Sequence, residues 1–451
     1  MASTKLTRTN GTATNGQKMT FSTWFKIGTQ TNQQSLLASV TGSGPATDLK
    51  IMNAATHNNV FRFECITVEG STIDLKLNRS LRDPGAFYNL VIAVDTTQVT
   101  SSNRVKIYIN GVQETSFATA TYPTQNHTLD FSKTGITQQV GAYSNSNYWN
   151  GLMSYTAFVD GTAYDASYFG ETNAATGIWK IKTSPSVTYG TNGFFLKMDT
   201  SSPGSDTSGN NNTFTASGTP TLAQDNASNN LVTLNPVYKN FNQPTFSNGN
   251  TTTSSASSGY FNAFSTIAVS TGKWYAEIKR GSSESQIGIS SLNDAESLLN
   301  VTDYYIGETS KSLGISSGDG KYRIGTTGTT YGSSYTTGDI IGIALDLTNK
   351  KLYASKNGAW SNGSGAWDSA TFNASTGAID ISAVIPSGEY AYIGFSIGDP
   401  GTGFNANFGN GFFGVTAVAS SNADAAGHGL FEYAVPTGFY TLNTKNLNTY
   451  G

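Results

Sequence analysis

The sequence predicts an all-β protein: two β-sandwich domains in series with a short C-terminal tail. Three observations carry this. Short runs alternate apolar and polar residues or stay apolar throughout, and no helical period lies between them. Glycine is abundant at 49 residues and supplies the positive φ angles of tight turns, whereas proline is sparse at 11. Asn-Gly pairs at 110–111 and 357–358 follow alternating runs, and Asn-Gly is the strongest short hairpin signal. At 451 residues the chain has room for two sandwiches of roughly 200 residues, each able to bury a core.

In chain order, Met19–Ile27 places Met19, Phe21, Thr23, Phe25 and Ile27 on one strand face. Tyr88–Asp95 is apolar at consecutive positions and reads as a strand buried on both sides. Arg104–Ile109 alternates into the Asn110-Gly111 turn. Residues 201–232 are polar, with scattered exceptions such as Phe214 and Leu222, and read as a linker or the closing strand of the first domain. A second strand series follows at Gly272–Ile278, Gln286–Ile289, Gly338–Leu347, Lys351–Trp360 and Tyr390–Ile397. The expected division is 1–200, 201–232, 233–412, and a tail at 413–451 that makes docking or oligomer contacts.

Composition narrows the function. Charged residues are 12%, about half the usual share, and Thr, Ser, Asn and Gly take their place. Hydrophobic residues at 37% and aromatics at 12% are too many for a disordered chain. The net charge of −3 offers nucleic acid no basic face. Lys5, Arg8, Lys18 and Lys26 all precede the first acid, Asp48; they read as a solvated edge or as a docking face for an acidic partner. Cys65 is the only cysteine, which excludes an intrachain disulfide and predicts a buried, inert thiol. The first residues have no apolar core of a leader, and no run approaches the roughly 18 residues of a membrane-spanning helix. The expectation is a protein folded in cytoplasm and not inserted in a membrane.

Ordered segments carry two resemblances. Phe21–Lys26, Phe87–Asp95, Val105–Gly111, Val140-Gly141 and Trp149–Ser154 resemble a laminin-G/concanavalin A-like jelly roll over about residues 18–165. Gly272–Ile278, Gly338–Gly342, Lys351–Asn357 and Phe404–Gly409 resemble a SPRY domain over about 235–412. The tandem order, with Tyr189–Leu196, Leu234-Asn235-Pro236 and Val435–Asn443, is similar to structural proteins of marine bacteriophages of the cyanophage and pelagiphage type. This resemblance implies a virion protein assembled in the host cytoplasm. The first reading is a tail-fibre or spike-type component binding a host-surface glycan or protein. The alternatives are a capsid decoration or capsid-fibre protein and, lower, a polysaccharide depolymerase. Other virion proteins are the implied partners, and a homo-oligomer is expected, with a trimer favoured by analogy to phage appendages.

The chemistry searched for points to binding without catalysis. Retaining glycoside hydrolysis needs two carboxylates close together; Glu64 and Glu69 have opposite strand parity and Glu277 stands alone in its strand. His57, His127 and His428 are far apart and form no metal-ligand spacing. Sugar binding needs aromatic rings and amides, and Asn145, Asn147, Tyr148 and Trp149 form the best local set, with Trp360, Asn362 and Trp367 a second; core or interface packing is the competing use of these rings. No cofactor is expected apart from calcium. For calcium the jelly-roll resemblance implies Asp199, Asp206 and Asn210 as ligands, against a plain reading of that segment as a joint rich in Asx turns. By its own resemblance the second domain would grip peptides with loops at 281–286 and 314–335.

Overall fold

The computed structural model describes residues 4–28, 32–40, 47–52, 59–66, 72–198, 202–237, 244–255, 259–282, 284–299, 304–398 and 400–451. The chain forms two compact all-β units, Met1–Leu222 with Asn226–Ser228, and Ala223–Asp225 with Asn229–Gly451.

Two large antiparallel sheets form the sandwich of the first unit, beside a two-stranded one of Gly170–Thr172 and Trp179–Ile181. One has eight strands in the order Phe117–Thr121, Thr72–Ser80, Val60–Ile66, Thr47–Ile51, Gln34–Val40, Thr137–Val140, Lys5–Thr9, Thr215–Ser217. The other has six, in the order Phe194–Leu196, Gly151–Asp160, Lys18–Ile27, Tyr88–Asp95, Val105–Ile109, Val112–Gln113. Between them lies a core that includes Phe21, Phe25, Phe61, Phe63, Ile92, Ile107 and Phe158. Met19, Phe21, Phe25 and Ile27 face this core. Thr23 shares their face, and its hydroxyl bonds to that of Thr156 at 2.8 Å, so the polar member of the stripe is satisfied. Asn110 and Gly111 have φ of 49° and 79°, the left-handed pair a type I′ hairpin requires. The segment after residue 201 closes the eight-stranded sheet, because Thr215–Ser217 pairs with Lys5–Thr7.

The second unit repeats the plan. Its larger sheet has the main order Thr245–Ser247, Thr252–Ser255, Gly401–Asn407, Lys273–Lys279, Ile340–Asp346, Lys351–Lys356, Ala359–Ser361, Trp367–Ser369, with two further short strands beside it. The smaller runs Phe261–Phe264, Ala391–Ile397, Ser285–Ser291, Ser312–Ser316, Tyr322–Ile324, Thr327–Thr329. Trp274, Ile278, Ile287, Ile343, Ile393 and Phe404 lie in the core between them. Asn357 and Gly358 again form the left-handed pair, at 51° and 82°. The last residues are part of this unit: Tyr440–Thr441 pairs in parallel with Trp274-Tyr275, and Leu442 is fully buried in the core. Asn443 caps the closing helix Thr444–Tyr450 by accepting from the Asn446 amide.

Candidate functional site

A sandwich has two outer faces, and what covers them decides where a ligand can bind. In the first unit, Phe169, Tyr164, Trp179, Val187 and Tyr189 pack over Val91, Ala157 and Val159 on the outside of the six-stranded sheet. The Trp179 indole donates to Asn89 Oδ1 at 3.0 Å, and its ring lies so close to Gly111 that a Cβ there would stand 2.5 Å from it. This cover is why Tyr88–Asp95 is buried on both sides. In the second unit, Phe431, Val435 and Phe439 cover Tyr275, Tyr353 and Trp360 on the larger sheet. Ala295 and Ile306 pack with Phe264 and Tyr392 on the smaller.

The outer face of the eight-stranded sheet is built differently. Strand register sets Thr121, Asp74, Glu64, Asp48, Ala38, Gln139, Thr7 and Thr215 opposite one another in a single row. Two residues along, Thr119, Lys76, Arg62, Lys50 and Ser35 form a second row. Like charges directly opposite destabilise a sheet, so the acidic row stands only because the basic row interleaves with it. Lys50 Nζ lies 2.5 Å from Glu64 Oε2 and 3.8 Å from Asp48 Oδ2. Arg62 Nη2 contacts Glu64 at 2.9 Å. The Arg62 guanidinium also grips Asp74 in a two-point fork through Nε and Nη2, both at 2.8 Å.

Burial varies along this face. Asp48 and Lys50 are almost inaccessible, whereas the Arg62, Glu64 and Asp74 side chains are 24%, 22% and 18% exposed. Burial pushes Asp48 up to about 6, against the pull of the Ser35 hydroxyl at 2.5 Å and of Lys50. The Arg62 guanidinium is raised, first by its bonds to Asp74. Arg62 offers five N–H donors; those on Nε and Nη2 are engaged, and Nη1 has no partner among the described residues. Glu64 is held between two cations, Lys50 and Arg62.

The loop from Gly141 to Asn150 adjoins the same face. Asn147, with φ of 50°, presents its carbonyl to the Ser35 amide at 2.9 Å, so Ser35 ties the loop to the Asp48 end of the ladder. Lys5 Nζ donates to the Ser144 carbonyl at 2.7 Å and to Asn145 Oδ1 at 2.8 Å. Asn145 is exposed and Tyr148 is half-buried. Trp149 turns inward and meets Phe25 edge to face at 5.5 Å.

The remaining expected residues are placed elsewhere. Trp360 is 7% exposed, with its ring 5.0 Å from Phe372; packing consumes it. Trp367 stands edge-on to Tyr331 at 5.7 Å and donates to the Ser333 carbonyl. Asn362 holds its own turn, donating to Asp368 and accepting from the Ser364 and Ala366 amides. Asp199, Glu69 and His57 lie outside the described residues. Asp206 accepts from the Phe195, Ser208 and Asn212 amides and the Ser208 hydroxyl, each at 2.8 Å. Asn210 donates to the carbonyls of Gly190 and Gly193. Both residues are thus engaged in pinning the closing segment. Among the described residues no group of three or more acidic, His or Cys side chains converges.

Comparison with known proteins places the first unit. Residues 2–166 match the Laminin_G_3 model, described as the concanavalin A-like lectin/glucanases superfamily, so the ladder strands and the 141–150 loop belong to a concanavalin A-like domain. No curated protein matches the sequence. Among solved structures, the SPRY domain of human HERC1 is 17% identical with a TM-score of 0.28, over 38% of this chain and 96% of its own. A pentraxin of Limulus polyphemus is 13% identical with a TM-score of 0.27, over 36% of this chain and 71% of its own. Domain 4 of the arabinanase AbnA of Geobacillus stearothermophilus, solved with arabinotriose, is 16% identical with a TM-score of 0.25, over 33% of this chain and 64% of its own.

Proposed function

We propose that this chain is a non-catalytic binding protein of a virion, a tail-fibre or spike-type component whose first unit engages a glycan on the host surface. The observation that carries the binding reading is the contrast among the outer sheet faces. Among the described residues, three are packed with apolar residues of the chain itself, and the fourth bears the ordered charge ladder Asp48–Lys50–Glu64–Arg62–Asp74. Its cross-links fix the side chains before any ligand arrives, which lowers the entropy cost of binding. Arg62 Nη1, Glu64 and Asp74 then offer donors and acceptors to sugar hydroxyls, with Thr119, Thr121 and the amide of Asn145 at the margins. The concanavalin A-like family of residues 2–166 is compatible with this. The virion setting is supported by the low charge, the hydroxyl- and amide-rich composition and the resemblance of the tandem order.

The test is a glycan array probed with the full chain and with Arg62→Ala. Binding to a defined set of oligosaccharides, weakened at least tenfold by the substitution, supports the reading. Equal binding by the two proteins moves the site off this face.

A further inference from the structure

In the second unit, a buried carboxylate holds the returning C-terminal segment against the sheet. Tyr275, Glu277 and Lys279 share the outer face of the strand Lys273–Lys279. Glu277 is fully buried. Its Oε1 accepts from the Tyr433 amide at 2.8 Å and the Tyr275 hydroxyl at 3.2 Å. Its Oε2 accepts from the Glu432 amide at 2.9 Å and Asn407 Nδ2 at 3.3 Å. Asn407 also donates to the Leu430 carbonyl and accepts from the Gly409 and Gly411 amides. The Glu277–Asn407 pair thus grips the segment both where it leaves the sheet and where it returns to cover Tyr275, Tyr353 and Trp360.

Among the described residues no cation pairs with Glu277. The nearby charged and titratable groups are otherwise occupied or neutral. Lys279 Nζ stands 5.8 Å over the Phe413 ring, Lys273 pairs with Asp346, and the Glu432 carboxylate accepts from the Ala419 amide. Asp339 caps the Thr336 turn; Tyr433 and Tyr353 are phenols, both raised chiefly by burial. An ionised carboxylate buried without a cation is costly.

We propose that Glu277 is a proton-operated clasp that holds the C-terminal segment over the aromatic face of the second unit, tighter in acid than in alkali. The surroundings can also accommodate the protonated carboxyl. Ser355 Oγ and the Tyr275 hydroxyl lie together against Gly342, where a Cβ would stand 2.5 and 2.8 Å from the two oxygens. When Oε1 carries a proton, the Tyr275 hydroxyl turns from donor to acceptor there, and its own O–H, still bonded to the phenol, points to Ser355 Oγ as a hydrogen-bond donor. Both backbone amides keep their carboxyl acceptors. Burial pushes Glu277 up to about 7, against the pull of its four hydrogen bonds. With the segment released, the side chain meets water and returns to its ordinary range near 4.5. The closed state therefore binds the proton more tightly, and closure weakens as pH rises from about 4.5, levelling above about 7.

Amide hydrogen exchange on the full chain, corrected for intrinsic chemistry, tests this. For the Glu432 and Tyr433 amides, the opening constant should rise about a hundredfold from pH 4.5 to pH 8, mostly below pH 7. Glu277→Gln should abolish the slope. Tyr275→Phe keeps the carboxyl but removes a hydroxyl that donates to its ionised form, so the midpoint should move to higher pH. A flat wild-type profile, protection that grows with pH, or an unshifted midpoint in Tyr275→Phe overturns the proposal. The Tyr275→Phe result decides the matter even if Glu277→Gln leaves the segment undocked.

Discussion

Asp206, which the jelly-roll resemblance offers as a calcium ligand, acts in the structure as a pin. Its two oxygens accept four hydrogen bonds, which close the turn Asp206–Asn212 and fasten it to Phe195. Removing the carboxylate strands three amides, so Asp206→Ala should cost the first unit about 2–3 kcal/mol in urea unfolding. EDTA should leave the melting temperature of the wild type unchanged, since the oxygens a cation would need are already engaged. A chelator-induced drop would return this segment to the calcium reading. Asp206 and Asn210 were visible in the sequence as a candidate pair; which donors the Asp206 carboxylate meets was not, because Phe195 is eleven positions away. Glu277 is a harder case. It stands alone in its strand, and the residues that give it meaning, Asn407, Glu432 and Tyr433, come more than a hundred positions later.

At the scale of strands, patterning was largely legible. The Met19–Ile27 stripe, the doubly buried Tyr88–Asp95 run and both Asn-Gly hairpins stand in the structure where alternation and turn chemistry put them. The charge ladder also left a signal. Asp48-x-Lys50, Arg62-x-Glu64 and Asp74-x-Lys76 each place one acid and one base on the same strand face. A search for acid pairs within a single strand misses it, because the partners meet across strands and register depends on the whole sheet. The glycines of the second unit's smaller sheet were equally silent. Gly394, Gly288 and Gly314 are in register, and the backbone at Ile306 crosses so closely that a Cβ on Gly314 would lie 2.0 Å from its carbonyl oxygen. The amides of Ile306 and Gly307 are held by the hydroxyls of Ser396 and Ser312. Gly314→Ala should therefore displace this crossing and cost about 2 kcal/mol or more, read as lost exchange protection at those two amides.

For the whole molecule, among the described residues burial raises three buried acids, Asp48 and Glu114 in the first unit and Glu277 in the second. Asp48 sits at about 6 and Glu277 at about 7, both above their ordinary values of 3.8 and 4.5. A folded state that raises an acid's pKa binds the proton more tightly than the unfolded chain, so its stabilisation is complete below the unfolded value and is lost as pH rises through the folded one. Between pH 5 and pH 7 the first unit should lose about 1 kcal/mol and the second about 2 kcal/mol. Urea unfolding resolved by amide exchange measures each unit separately. A profile that gains stability over this interval contradicts the burial of these groups.

The central claim is that the ladder face of the first unit recognises glycan. Glycan-array binding by the full chain, compared with Arg62→Ala, tests it most directly, with the melting temperature of each protein recorded alongside. The expected result is a defined set of bound oligosaccharides and at least a tenfold loss on substitution, with the substituted protein still folded at the assay temperature. Undiminished binding by folded Arg62→Ala, or no binding to any glycan by the wild type, would contradict it.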